Sequence, residues 1–363
     1  MLRGIPCTLM RGGSSKGLYF DARDLPQDRA TRDAVLLAAM GSPDARQIDG
    51  LGGAHPLTSK VAVVGRSRDD KTDVEYLFLQ VAVDTALVSD SQTCGNILAG
   101  VGPWAIENGL VAPAGDSTPV RIRMLNTGGV AVAHVPVREG AVEYEGEARI
   151  DGVPGSAAPI AIEFLDVAGS SCGALLPTGA PRERVDGLEA TCIDNGMPVV
   201  MLRAADLGKT GRETPLELEA DGELRARVER IRLALGPRMN LGDVSGKTVP
   251  KMALVAERPE GTGVMTRTFI PHRVHEAIGV LGALSVATGC LLRGSVAAEL
   301  SRMGPRQGRQ CVEVGHPSGS FTVELEVEGE GDSLQVRRSV FLRTARKLMR
   351  GEVYVPSRAW SAP

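Results

Sequence analysis

Two segments of this chain are apolar on most of their faces and rich in small residues, and they constrain the fold more than any other feature. Residues 97–108 carry Ile97, Leu98, Ala99, Val101, Trp104 and Ile106. Residues 274–288 carry Ala277, Ile278, Leu281, Leu284 and Val286. A helix that is apolar nearly all round has to be enclosed on most sides. The surrounding segments read as short alternating strands, among them residues 76–83, 130–137 and 252–255. One enclosed helix among many strands, twice over, predicts a mixed α+β fold built from two similar halves. Proline, glycine and charge cluster over residues 177–189, which places the domains at 1–180 and 181–363. The last residues are open to returning to the first domain.

A length of 363 residues exceeds one typical core, which agrees with two domains. The net charge of −3 argues against a nucleic-acid partner. No stretch approaches the roughly 20 apolar residues of a membrane helix. The N-terminus reaches Arg11 and Lys16 without a continuous apolar core, so no signal peptide is read there. Cys7, Cys94, Cys172, Cys192, Cys290 and Cys311 are scattered, without a C-x-x-C pair. Free thiols in a reducing cytoplasm are the expectation. His272 and His275 lie one helical turn apart with no acidic partner segment, so no metal site is expected.

Three places bear the residue types of a catalytic site. Cys94 sits where the strand over 76–83 gives way to the helix at 97, within Ser91-Gln92-Thr93-Cys94-Gly95-Asn96. The first turn of a helix has unpaired N–H groups and favours negative charge, which suits a reactive thiol beside a carboxylate. A buried cysteine is otherwise only a small apolar side chain. Arg11-Gly12-Gly13-Ser14-Ser15-Lys16-Gly17 reads as a glycine-rich basic loop between strands. Its amides, hydroxyls and Lys16 can cradle an anion, though it lacks P-loop spacing. Lys60 closes the glycine-rich segment 48–54 and opens an apolar strand. Such a lysine is either solvated at a strand end or partly desolvated, in which case its neutral, proton-accepting form is favoured. In the second half, Arg267 lies in what reads as a loop, over 261–268, and suits a carboxylate or a surface position. Ser318 and Gly319 lie in a Gly/Ser loop that binds a carboxylate or merely turns the chain.

Taken in order, the motifs resemble those of one family. They are Met10-Arg11-Gly12-Gly13-Ser14-Ser15-Lys16-Gly17, Gln47-Ile48-Asp49-Gly50-Leu51-Gly52-Gly53, Leu57-Thr58-Ser59-Lys60-Val61-Ala62-Val63, Cys94-Gly95-Asn96-Ile97, Gly315-His316-Pro317-Ser318-Gly319 and Arg343-Thr344-Ala345-Arg346-Lys347-Leu348-Met349. They are similar to the signatures of the PrpF family, and they span almost the whole chain. The resemblance implies a diaminopimelate-epimerase-like fold, with two pseudo-symmetric domains, each a set of strands wrapped around a central helix. It implies a cofactor-independent isomerase of unsaturated di- and tricarboxylic acids. The segments 44–47 and 54–58 look closer to the branch that tautomerises 4-oxalomesaconate than to the one that isomerises 2-methylaconitate.

The resemblance also implies roles. Lys60 and Cys94 would move the proton. Ser14, Ser15, Lys16, Gly95, Asn96, Arg267, Ser318 and Gly319 would hold the tricarboxylate. An epimerase of this fold uses one thiol from each half. Here residues 265–272 contain no cysteine, and Cys290 is read as lying past the second helix. Two-thiol racemisation is therefore disfavoured. The rival readings are a 2-methylaconitate isomerase and a non-catalytic accessory protein of a dehydratase. A homodimer is expected on general base rates.

Overall fold

The computed structural model describes residues 1–90, 93–165, 167–270, 273–303, 307–329 and 334–360. The chain forms two compact units, Met1–Glu163 with Leu342–Pro363, and Phe164–Phe341. The division expected at 180 thus compares with one at 163. Segment 167–180 belongs with the second unit because Cys172 packs into that unit's core and Gly169 N–H donates to Asp194 O.

In the first unit, Leu2–Gly12 pairs antiparallel with Ser15–Asp21, which runs parallel to Lys60–Arg66. That strand is antiparallel to Val74–Val81, which runs parallel to Ser117–Met124, itself antiparallel to Val130–Arg138. The returning strand Ala345–Pro356 closes on Leu2–Gly12. The second unit repeats this order. Leu188–Asp194 pairs antiparallel with Pro198–Arg203, which runs parallel to Lys251–Glu257, then antiparallel to Val264–Ile270. Gly308–His316 follows in parallel and Gly319–Glu328 antiparallel. A central helix occupies the same place in both series, Gly95–Glu107 after the fourth strand of the first and Val280–Leu291 after the fourth strand of the second. The duplication is one of topology, and sequence periodicity does not reveal it.

The predicted enclosure of both helices is found. Ile97 through Ile106 are all buried, and so is every residue from Val280 to Leu291. Alternation along the strands then assigns faces. In the first unit, Leu18, Phe20, Val61, Val63, Leu79 and Val81 form a core with Val35, Leu36, Ala39 and Met40 of the helix Arg29–Met40. Tyr19, Ala62 and Phe78 alternate with them and point the other way, and the Tyr19 hydroxyl donates to Ile97 O of the central helix at 2.5 Å. Lys60 shares the parity of Ala62, so alternation aims it at the central helix.

Several boundaries differ from the sequence reading. The second central helix starts at Val280 rather than 274, because Arg273–Val274 pairs with Val264–Ile270. Cys290 lies inside its last turns and not past it. The expected loop over 261–268 is mostly strand, Val264–Ile270. His272, Ser91 and Gln92 lie outside the described residues. Among the described residues, no helix is long and apolar enough to cross a membrane.

Candidate active site

The N-terminus of the helix Gly95–Glu107 gathers most of the residues singled out in the first unit. Cys94 is its N-cap residue, in extended conformation and without a capping side-chain bond. Its side chain is therefore left to other partners. Lys60 Nζ donates to Cys94 Sγ at 3.4 Å, with both residues over nine-tenths buried. Lys60 Nζ also stands 5.4 Å from the ring centroid of Phe78, and Tyr76 donates its hydroxyl to Cys94 O at 3.2 Å. Burial holds both the Tyr19 and the Tyr76 hydroxyls well above the usual phenol range, and the nearby Cys94 adds to this.

Lys60 is held by the chain that precedes it. Gln47 Nε2 donates to Ser59 Oγ at 2.7 Å and to Ser42 Oγ at 3.0 Å, while its Oε1 accepts from Ala54 N–H at 2.9 Å. Gln80 Nε2 donates to Ser59 O at 2.8 Å. Gly17 lies opposite Lys60 in the parallel pair, where a Cβ would stand 2.3 Å from Lys60 O. Only glycine lets the two strands approach there.

The glycine-rich basic segment is a tight hairpin and not a seven-residue loop. Gly12 pairs with Ser15, so only Gly13 and Ser14 turn the chain. Gly13 has φ +52°, and a Cβ on it would fall 2.1 Å from Asn96 Oδ1. The hairpin tip thus lies directly against the first turn of the central helix. Asn96 Nδ2 donates to Ser14 Oγ at 3.3 Å. Ser15 is 2% exposed, and among the described residues its hydroxyl has no hydrogen-bond partner. Strand alternation separates Lys16 from this group. Its Nζ stands where a Cβ on Gly53 would be 3.4 Å away, beside the loop that precedes Lys60. Arg11 spends its Nη1 on Gly13 O, Thr344 O and Thr344 Oγ1, tying the hairpin to the returning C-terminal segment.

Arg343 was not singled out by sequence reasoning, although it opens one of the matching motifs. It is 3% exposed, and its Nε donates to Asn96 Oδ1 at 3.1 Å while Nη1 donates to Leu342 O at 2.8 Å. Burial pushes its guanidinium down to about 10, against an opposing attraction from Cys94. Its place at the head of that motif was the available signal, and the return of the chain from Leu342 to the first unit is what gives it a place.

The second-unit residues behave differently. Arg267 lies on the strand Val264–Ile270 opposite Leu254, with Nε donating to Glu213 O at 2.5 Å and Nη1 to Thr266 O at 2.8 Å. Leu254 belongs to the core packed with the outer helix Gly222–Arg238, so Arg267 shares the face turned from the central helix. Burial lowers its guanidinium. Ser318 lies in the two-residue turn between Gly308–His316 and Gly319–Glu328. Its hydroxyl donates to Glu276 O at 2.8 Å and contacts His316 Nδ1 at 3.2 Å. Gly319 begins the following strand. The N-cap of the second central helix is Gly279, so the position that Cys94 holds in the first unit carries no thiol in the second.

The whole chain is similar to proteins of known kind. It is 59% identical over 359 residues to the 4-oxalomesaconate tautomerase of Pseudomonas putida (strain KT2440), covering 99% of this chain and 98% of that protein. Among solved structures it is similar to methylitaconate-delta-isomerase, with a TM-score of 0.84, 32% identity, and 100% and 98% of the two chains covered. A hydroxyproline epimerase from Agrobacterium vitis shares the fold at a TM-score of 0.55 and 14% identity, over 97% of this chain and 93% of that one. The model of the family described as PrpF protein matches residues 1–356, and the chain belongs to that family.

Proposed function

We propose that this chain is an isomerase that tautomerises 4-oxalomesaconate, an unsaturated tricarboxylic keto acid. The observation that carries the reaction type is the buried contact of Lys60 Nζ with Cys94 Sγ, at 3.4 Å, on the first turn of a helix. The substrate is supported by the 59% identity with a 4-oxalomesaconate tautomerase over nearly the full length of both chains.

The chemistry follows from the pair. Lys60, as a neutral amine, takes a proton from the methylene carbon beside the ketone and alkene. The C–H electron pair enters a new C=C bond, and the carbonyl oxygen takes up the charge as an enolate. The amides of Gly95 and Asn96 face that charge with the positive end of the helix. Cys94 gives its S–H proton to the far end of the conjugated system, which moves the double bond. The Lys60 ammonium then passes its proton across the contact to the Cys94 thiolate, and both groups are restored. Ser14, Ser15 and Asn96 hold carboxylates at the hairpin and helix end. A positioned base of this kind supplies about 10²- to 10⁴-fold.

Incubation with 4-oxalomesaconate in D₂O, followed by proton NMR, tests the reading. Fast deuterium entry at the methylene, lost in Lys60→Ala, is the expected result. Absence of exchange above the blank, with exchange of 2-methylaconitate instead, overturns the substrate. Absence of exchange with both overturns the reaction.

A further inference from the structure

The hydrogen bonds around Asn96 have a direction. A guanidinium has five donors and no acceptor, so the atom of Asn96 that meets Arg343 Nε has to be the carbonyl oxygen. This settles the carboxamide's orientation on chemical grounds: Oδ1 faces Arg343 at 3.1 Å, and the NH₂ group faces Ser14 Oγ at 3.3 Å. The carboxamide has little freedom to turn, because Gly13 lies against it so closely that a Cβ there would be 2.1 Å from Oδ1. Ser14 Oγ accepts from Asn96, which directs the hydroxyl's own hydrogen elsewhere. Hydrogen bonds polarised in one sense along a chain strengthen one another, and a charged donor at the head adds to the effect.

We infer that Arg343 is a positioning residue that sets a one-way donor chain, Arg343 to Asn96 to Ser14, whose terminal O–H is presented to a carboxylate of the substrate. This rests on the proposed tricarboxylate substrate and assigns Ser14 as a donor to it. Arg343 touches no reacting atom in this scheme. It acts by fixing which end of Asn96 faces outward. The head of the chain is buried at 3% exposure, so water does not compete for it.

Asn96→Asp separates this from a merely structural role. Aspartate keeps the shape of asparagine and gains a charge-assisted bond to Arg343, so the fold is retained. It has only acceptors, so Ser14 must now donate inward and turn its lone pairs to the ligand. The test measures binding of propane-1,2,3-tricarboxylate, an unreactive probe, by thermal shift and calorimetry, with KM and kcat alongside. The variants are Asn96→Asp, Ser14→Ala and their combination, with Arg343→Lys and Arg343→Met. Ser14→Ala is expected to weaken binding about 10- to 100-fold in the native background, the size of a lost hydrogen bond to a charged group. In the Asn96→Asp background it is expected to cost less than about 3-fold, because the donor is already turned away. Arg343→Lys is expected to recover part of the affinity lost in Arg343→Met. If Ser14→Ala costs as much in Asn96→Asp as in the native chain, the donor chain is wrong, and Asn96→Asp acts by charge alone. If the native chain turns over 4-oxalomesaconate but Ser14→Ala leaves binding unchanged, the assignment of Ser14 is wrong while the function stands. If the native chain neither binds the probe nor turns over substrate, the tricarboxylate reading falls and takes the end of the chain with it.

Discussion

Lys60 Nζ meets Cys94 Sγ at 3.4 Å although the two residues come from different elements, one opening a strand and the other capping a helix. Strand parity aims Lys60 inward, and the N-cap conformation frees the Cys94 side chain to receive it. If the pair transfers the proton, removing either member removes the route. Lys60→Ala and Cys94→Ala are each expected to lower kcat about 10²- to 10⁴-fold, with a smaller change in KM. Because the two act as one unit, the double variant is expected to cost little more than the worse single one. Steady-state kinetics on the three variants decide this. Retention of near-native turnover in both single variants would end the proposal.

Gly17 carries the approach of the strand that presents Lys60. In Gly17→Ala the new methyl would meet Lys60 O at 2.3 Å and Lys60 Cβ at 3.2 Å, so the strands must part. Overpacking of this kind costs about 1–3 kcal/mol. Gly17→Ala is expected to lower the melting temperature and to lower kcat as well, since Lys60 moves with its strand. A variant that unfolds earlier yet keeps native kcat would show that the Lys60–Cys94 contact tolerates the displacement.

The candidate site was legible in the sequence where local pattern and position agree. Cys94 at a strand-to-helix junction and Lys60 between a glycine-rich loop and an apolar run are both local signals, and the structure joins them. The two enclosed helices were legible because nothing but burial explains an all-round apolar helix. What failed was long-range or depended on pairing. Gly, Ser and Arg read as loop over 11–17, yet cross-strand pairing carries both strands to Gly12 and Ser15. The same error made a loop of residues 261–268, most of which belong to the strand Val264–Ile270, and with it put Arg267 in the wrong setting. Arg343 lies 247 residues from Asn96, a separation no local pattern bridges.

The thiols offer a test of burial across the chain. Burial pushes Cys7 up to about 11, and Cys172, Cys192 and Cys290 up to about 12. Only the thiolate is alkylated, so these four are expected to stay unmodified by iodoacetamide at pH 8 in the folded protein. Cys311, the exposed cysteine, is expected to react first. Peptide mass spectrometry after timed labelling reads this directly. Early modification of Cys192 or Cys290 would mean that the second unit opens on the labelling timescale. Protection of Cys94 by saturating tricarboxylate is the further expectation of the proposed site.

Lys251 opens the strand of the second unit that corresponds in order to the strand Lys60 opens in the first. Burial pushes its ammonium down to about 8, and the Arg232 guanidinium nearby adds to this. Arg232 itself is fully buried, held by Glu229 and by the carbonyls of Val244, Lys247 and Val249. A lysine depressed below its unfolded value is stabilising only when neutral. Its favourable contribution is complete above about 10.5, the usual lysine value, and is lost as pH falls through about 8. At pH 7 the folded chain therefore holds a charge it would be more stable without. Lys251→Met, which keeps the apolar stem, is expected to raise stability at pH 7 by on the order of 1–3 kcal/mol. The gain should shrink as pH rises from 8 and vanish near 10.5. Thermal unfolding of both proteins at pH 7 and pH 10 measures the difference. A gain of equal size at both pH values would mean that packing, and not the buried charge, is responsible, and a loss at pH 7 would mean that the ammonium is satisfied where it stands.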